Sequence, residues 1–536
     1  MSRLIVPFVL VAVLLTGCDN VLQEEPTSFI GPDNFYRNAE DALAALSGAY
    51  SEISSGSFGG YIGSYQFMRH FEKPSPEVGV GTNTPEFILD EFTWTPDATE
   101  RGALPEFYAS AYQGIKAANA VIDNVPGIEN MDTQLQTRII AEARFLRALH
   151  YYHLVGVFGG VPLYAEEIRS LDNIAKPRAP EDSAYIFIID DLEQAIPDLP
   201  VASVYGASQK ERASKGAAQT LLAKTYLQRG SLNPDNGPLP PEREIAQPGD
   251  YQAAATLLQE VIDSGEYSLP DDLVTQYTAL FIEEEPGAVN PEVIFALQSD
   301  PAVGYTSSAP CLTISEVAGS ELAGASWNQH TSELPFFTSF EDEDLRKDVT
   351  FLLEFPNEAG EVVTYDIDNV EGDGVPEDSP PFRKYSKAAP GEQCADDNDW
   401  IILRYADVLL MLAEALNEVN QGPTPAAYDA INQVRERAGL DPLSGLDYAS
   451  FREAVYTENR KELVAEGQGW WTMNRFWDIA ERRIREHAEF DAQFPPERQF
   501  GPRLDRLAIE APKHRVFPIP SSSISRNPQL TQNPGY

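Results

Sequence analysis

The chain is poor in base, in sulfur and in long apolar runs, and each shortage removes a class of function. Lysine and arginine number 39 against 83 aspartates and glutamates, a formal net charge of −44. A surface that acidic repels phosphate backbones and anionic headgroups, which argues against nucleic-acid binding and against charge-driven adhesion to lipid. The acid is spread along the chain rather than gathered in a tail, the pattern of a solvated surface, and a high-salt habitat that screens repulsion is one reading of it. Cysteine occurs three times, too few for a disulfide scaffold. Whether Cys311 and Cys394 pair in an oxidising compartment is left open by their spacing. The motifs Gly-x-Ser-x-Gly, Gly-x-x-x-x-Gly-Lys, Gly-x-Gly-x-x-Gly, Cys-x-x-Cys and His-Glu-x-x-His are all missing. No hydrolase elbow, phosphate cradle or zinc-protease helix is therefore legible. Close carboxylate pairs arise by chance among so many acids and give no case for a glycosidase.

What is present begins at the N-terminus. Met1-Ser2-Arg3 is short and basic, Leu4 to Leu15 is almost purely apolar, and Leu15-Thr16-Gly17-Cys18 follows. This reads as a secretory signal over residues 1–17, too short to span a bilayer. The ending resembles a bacterial lipobox, which makes Cys18 the expected lipid-attachment residue and residues 18–32 a tether. Buried acyl CH₂ groups would then hold a soluble domain on the membrane.

Helical spacing of apolar residues predicts helices at 35–53, 107–125, 133–155, 182–195, 214–228 and 251–264, and again at 401–420, 426–438, 448–466 and 470–486. From about 270 to 400 that period fades. Val293 to Leu297 reads as a buried strand, and Val362 to Tyr365 as half a hairpin. The alanine-rich helix pairs predict a mainly α fold, a helical-repeat scaffold of degenerate tetratricopeptide-like units with no strict 34-residue period. A loop-rich ligand-facing insert divides it.

Three features are candidates for chemistry. His150 and His153 share a helix face, but Arg147 and three leucines surround them, so packing is the stronger reading than a metal. Asp366, Asp368, Asn369, Glu371 and Asp373, with Gly372 and Gly374, offer oxygen ligands of the kind calcium takes. Val370 in the fifth position breaks the EF-hand pattern, which favours a solvated acidic turn; no other cofactor is expected. Aromatics make up 10% of the chain, and many stand in loops, from 54 to 96 and from 300 to 340. Flat rings beside amides and charges suit a sugar, whose C–H face stacks while its hydroxyls hydrogen-bond. The expected ligand contacts are Tyr65, Arg69, Trp94, Tyr305, Trp327, Asn328 and Phe336.

Several segments together resemble the SusD/RagB family. They include the lipobox at Cys18, Glu142 to Leu149 ending in Phe158-Gly-Gly-Val-Pro-Leu163, Asp191 to Ala195, and Lys215 to Leu227. Leu403 to Ala415, Ile431 to Gly439, Pro518-Ile-Pro520 and the ending Asn527 to Tyr536 complete the match. The resemblance implies a single SusD-like domain over 33–536: helices over about 33–270 with four tetratricopeptide-like units, a loop-rich insert over about 270–400, and C-terminal helices over about 401–536. It implies a cell-surface lipoprotein of the outer membrane that binds an oligosaccharide or other nutrient. It further implies delivery to a SusC-like TonB-dependent transporter, and no catalysis. A tetratricopeptide-like assembly factor that binds protein, or uptake of a non-carbohydrate nutrient, stands as the alternative. One departure is visible: the family's segment around Arg460 to Gly467 continues with an arginine and an aspartate, where this chain has Gly469 and Thr472.

Overall fold

Helices account for most of the chain in a computed structural model. It describes residues 35–54, 68–80, 89, 91–99, 104–170, 174–206, 209, 212–270, 278–281, 290–298, 330–356, 362–364, 380, 382–385, 399–491 and 508–536. Cys18, Cys311, Cys394 and the acidic 366–374 loop lie outside these residues. In chain order the α-helices longer than six residues, among the described residues, are α1 (Ala39–Ser54), α2 (Leu104–Asn124), α3 (Thr133–Phe158), α4 (Glu181–Ala195), α5 (Lys215–Gly230) and α6 (Asp250–Asp263). After the insert come α7 (Tyr405–Asn420), α8 (Pro425–Arg437), α9 (Tyr448–Leu463), α10 (Gly469–Arg475) and α11 (Trp477–Asp491).

Short polar residues start them. Asp132, Ser214, Thr424 and Asp447 each accept the backbone N–H three residues on, satisfying a donor that the first helical turn leaves open. Each helix from α1 to α7 then packs on the next in sequence, and α7 also packs on α8 and α9. Alanines such as Ala111, Ala143, Ala148, Ala217 and Ala254 are fully buried between them, and small side chains let the backbones approach.

The insert is closed at its base. α6, before it, packs on α7, after it. β2 (Val293–Leu297), near its start, pairs antiparallel with β6 (Trp400–Arg404), with Val293 opposite Arg404 and Leu297 opposite Trp400. The helix expected from 401 therefore starts at Tyr405. Trp400, Ile401 and Ile402 are β-formers with a strand to pair with, and Arg404 keeps extended backbone as the cap. The helix expected over 470–486 is likewise broken, between α10 and α11, at Phe476. The half hairpin at 362–364 is completed by β4 (Glu354–Pro356) against β5 (Val362–Thr364).

A buried ionic cluster fastens this base. Arg404 Nη1 lies 2.6 Å from Glu292 and 2.8 Å from Glu462, and its Nε lies 2.8 Å from Glu466. Arg437 pairs with Glu292 at 2.6 Å and also with Glu462, while Arg346 reaches Glu458 at 2.6 Å and Asp344 at 2.8 Å. Burial alone would push the Glu462 carboxyl up, but Arg437, Arg404 and Arg346 hold it far below the usual carboxylate range. Such charges withstand desolvation only because each has several partners.

Candidate ligand-binding surface

The two ring-rich segments meet. β1 (Val78–Val80) runs antiparallel to β3 (His330–Ser332), with Val78 opposite Ser332, Gly79 opposite Thr331 and Val80 opposite His330. The end of β1 thus lies beside the start of β3. Glu333 N–H continues the ladder by donating to Glu77 O at 2.9 Å. Both strands are too short to be stable by themselves, so their placement depends on what lies beneath.

Beneath them is a second buried ionic group. A π-helical turn, Met68–Glu72, precedes β1. Arg460 of α9 donates through Nη2 to Glu72 at 2.7 Å and through Nε to Glu77 at 3.0 Å. Tyr456 Oη donates to Glu77 at 2.8 Å, and the backbone N–H groups of Gln468 and Gly469 donate to Glu72 at 2.8 and 3.1 Å. Burial pushes the Glu72 carboxyl up against the pull of Arg460. A Cβ added at Gly469 would stand 2.7 Å from Glu72 Oε2 and 3.0 Å from Phe71 O. Where the family resemblance leads one to expect arginine, the glycine makes room for this carboxylate. The pairing of Arg460 with residues almost 400 positions away leaves no local pattern in sequence, so the spacing of acids and bases did not single it out.

The expected contacts divide. Arg69 lies in the Met68–Glu72 turn. Tyr65, Tyr305, Trp327 and Asn328 lie outside the described residues, the last two directly preceding His330 and Thr331 in the chain by way of Gln329. Trp94 is a correction: it is fully buried. Its Nε1 donates to Tyr536 Oη at 2.5 Å, and its ring stacks on Phe517 with centroids 4.8 Å apart. Phe336 is also core, packed edge-on against Phe340 at 5.2 Å and Phe351 at 6.2 Å. A ligand reaches neither ring without displacing protein. Both stand in segments rich in turn residues, and sequence alone does not separate a ring folded inward from one left in solvent.

The histidine pair is packing. His150 fills the space above Gly114, where an added Cβ would lie 2.1 Å from Nε2. His153 meets Trp471 edge-on with centroids 5.4 Å apart. Neighbouring Arg147 binds Asp191, Asn119 and Ala165 O. Among the described residues no three His, Cys, Asp or Glu side chains converge on a metal-sized site.

Comparison with known proteins places this geometry. Residues 376–536 match the model of the SusD family, and residues 78–227 match one described as starch-binding and associating with the outer membrane. The SusD-like protein P2 of Formosa agariphila is 28% identical over 559 aligned positions that cover 100% of both chains. A SusD homolog of Bacteroides thetaiotaomicron of known structure superposes with a TM-score of 0.79 at 24% identity, covering 94% of this chain and 98% of that one. A laminarin-binding SusD-like protein superposes with a TM-score of 0.70 at 23% identity, covering 94% and 100%. At these identities the structural likeness is one of fold.

Proposed function

The chain belongs to the SusD/RagB family, and on that premise we propose that it is a cell-surface lipoprotein that binds an oligosaccharide and passes it on unchanged. The observation that carries this reading is the β1–β3 ladder. It ties together the two segments in which loop aromatics concentrate, and it seats both on the buried Arg460 group. Sugar rings stack their C–H faces on Tyr65, Tyr305 and Trp327, while Arg69 and Asn328 bond the hydroxyls. Trp94 and Phe336 take no part, being core. Several weak stacking contacts give capture with fast release, which suits a protein that hands its ligand onward.

Cys18 carries the lipid that keeps the protein at the outer membrane, and a TonB-dependent transporter receives the oligosaccharide. The helical side, α1 to α7, is the docking face for that transporter. A glycan array followed by calorimetry tests the reading: an oligosaccharide binds and is recovered intact. Turnover of the bound glycan, or binding of a peptide with no carbohydrate bound, overturns it. Labelling with a radioactive fatty acid tests Cys18, since Cys18→Ala should lose the label.

A further inference from the structure

A cavity of about 420 Å³ opens where α3 ends, between the Gly159-Gly160 turn, the start of α4 and the C-terminal segment 531–534. Its charged lining is Arg178, Glu181, Glu242 and Arg243. Glu181 is taken: Arg243 donates to it twice, Nε to Oε2 at 2.6 Å and Nη2 to Oε1 at 3.0 Å. Arg178 bonds only neutral oxygens, namely Gly160 O at 2.6 Å, Phe158 O at 3.1 Å, Thr531 O at 3.2 Å and Asn533 Oδ1 at 2.5 Å.

A third arginine stands next to the lining residue Val516. Arg515 is fully buried, donates to Asn474 O at 2.9 Å and Asn236 O at 3.3 Å, and lies 5.4 Å from the Trp477 ring centroid. Its Nε has no hydrogen-bond partner among the described residues. Among those residues neither Arg178 nor Arg515 forms an ion pair with a carboxylate: of the two acids at the cavity, buried Glu181 is held by Arg243 and Glu242 is exposed. Burial, with the repulsion of Arg243, pushes Arg515 down to about 9 and lowers Arg178 as well. α4 points its N-terminus at the same place, adding partial positive charge. Glu242, exposed at the rim, and Asp478 act on these arginines only from a distance, and among the described residues no carboxylate touches Arg178 or Arg515. Excess buried charge is unfavourable unless a counter-charge joins it.

We propose that this cavity binds an anionic group, the carboxylate of a uronic acid or a sulfate, with room beside it for a sugar ring. The volume falls in the range of small-molecule sites. Pro180, Pro240, Pro512 and Pro534 supply apolar walls for the ring's C–H face. Arg178 retains N–H capacity beyond its four bonds, since a guanidinium carries five. The site is separate from the β1–β3 surface and does not rest on the reading of that surface.

The test is calorimetry of the full mature chain with glucuronate, glucose and inorganic sulfate at low salt. Glucuronate should bind and glucose should not, with affinity falling as salt is added. Glu242 is exposed at the cavity, so Glu242→Gln leaves the fold intact. It should tighten anion binding by about threefold, and Glu242→Arg by more. Arg178→Met should lose at least about tenfold, the 1.4 kcal/mol of one charged hydrogen bond. Glucuronate bound about tenfold more tightly than sulfate identifies an acidic sugar as the ligand; equal affinity identifies a free inorganic anion. No binding of either anion, or binding that ignores both Glu242 replacements, overturns the proposal. Neutral-oligosaccharide binding should be the same in all three variants, which keeps this site's failure distinct from that of the loops.

Discussion

Arg460 on α9 holds Glu77, the residue before β1, through Nε at 3.0 Å, and Glu72, at the end of the π-helical turn, through Nη2 at 2.7 Å. One buried guanidinium thus serves two buried carboxylates that flank residues 73–76. The strand that carries the candidate surface is positioned by a helix of the scaffold rather than by its own ladder. Arg460→Met would strand both carboxylates, and the expected loss is about 3–5 kcal/mol in denaturant unfolding. Adding Glu72→Gln and Glu77→Gln to that variant should recover part of the loss. If the triple variant is no more stable than Arg460→Met, packing rather than charge is the cause.

Gly469 gives a second test of the same place. A Cβ there meets Glu72 Oε2 at 2.7 Å and Phe71 O at 3.0 Å. The backbone oxygen cannot swing aside as a flexible side-chain tip does, so Gly469→Ala should cost about 1–3 kcal/mol. Combining it with Glu72→Ala should cost less than the sum of the two single changes, because both act on one contact. Thermal melts of the four proteins decide it, and strict additivity would show that the crowding is relieved elsewhere.

Much of the scaffold was legible because its signals are local. Ser214 caps α5 as its position before Lys215-Gly216-Ala217 implies, and the apolar spacing of α2, α3 and α6 places each within a few residues. The misplaced elements are those decided by distant partners. Trp400 to Arg404 became strand because Val293 to Leu297 lies alongside, and helical spacing cannot register that. The candidate surface was legible as a pair of ring-rich segments, but not as to which rings face out. Trp94 is withdrawn by Phe517 and Tyr536, more than 400 residues further on, and Phe336 by Phe340 and Phe351.

His150 makes the scaffold sensitive to acid. Burial pushes its imidazole from the usual 6.5 down to about 3, and lowers His153 as well. The unfolded chain therefore takes up a proton below about pH 6.5 that the folded chain refuses. Stability contributed by neutral His150 is complete above that pH and falls toward pH 3, by about 1.4 kcal/mol per pH unit for this one group. Unfolding free energies measured from pH 6 to pH 4 should show a slope shallower by one proton in His150→Gln. An unchanged slope would mean that the folded protein protonates His150 freely.

Rings of the core and rings of the proposed ligand surface should separate in one experiment. Trp94→Ala removes a fully buried indole with a stacked partner and a hydrogen bond. It should cost about 3–5 kcal/mol of stability. In the protein that remains folded, oligosaccharide affinity should be unchanged. Trp327→Ala and Tyr305→Ala should do the reverse, with stability within about 0.5 kcal/mol of the parent. Each should weaken binding by about fivefold, the worth of ~1 kcal/mol for one stacked ring. Denaturant midpoints and calorimetric affinities on the same preparations give both axes. If Trp327→Ala and Tyr305→Ala lower the midpoint as Trp94→Ala does and leave affinity alone, these rings belong to the core too, and the oligosaccharide surface must be sought away from the β1–β3 ladder.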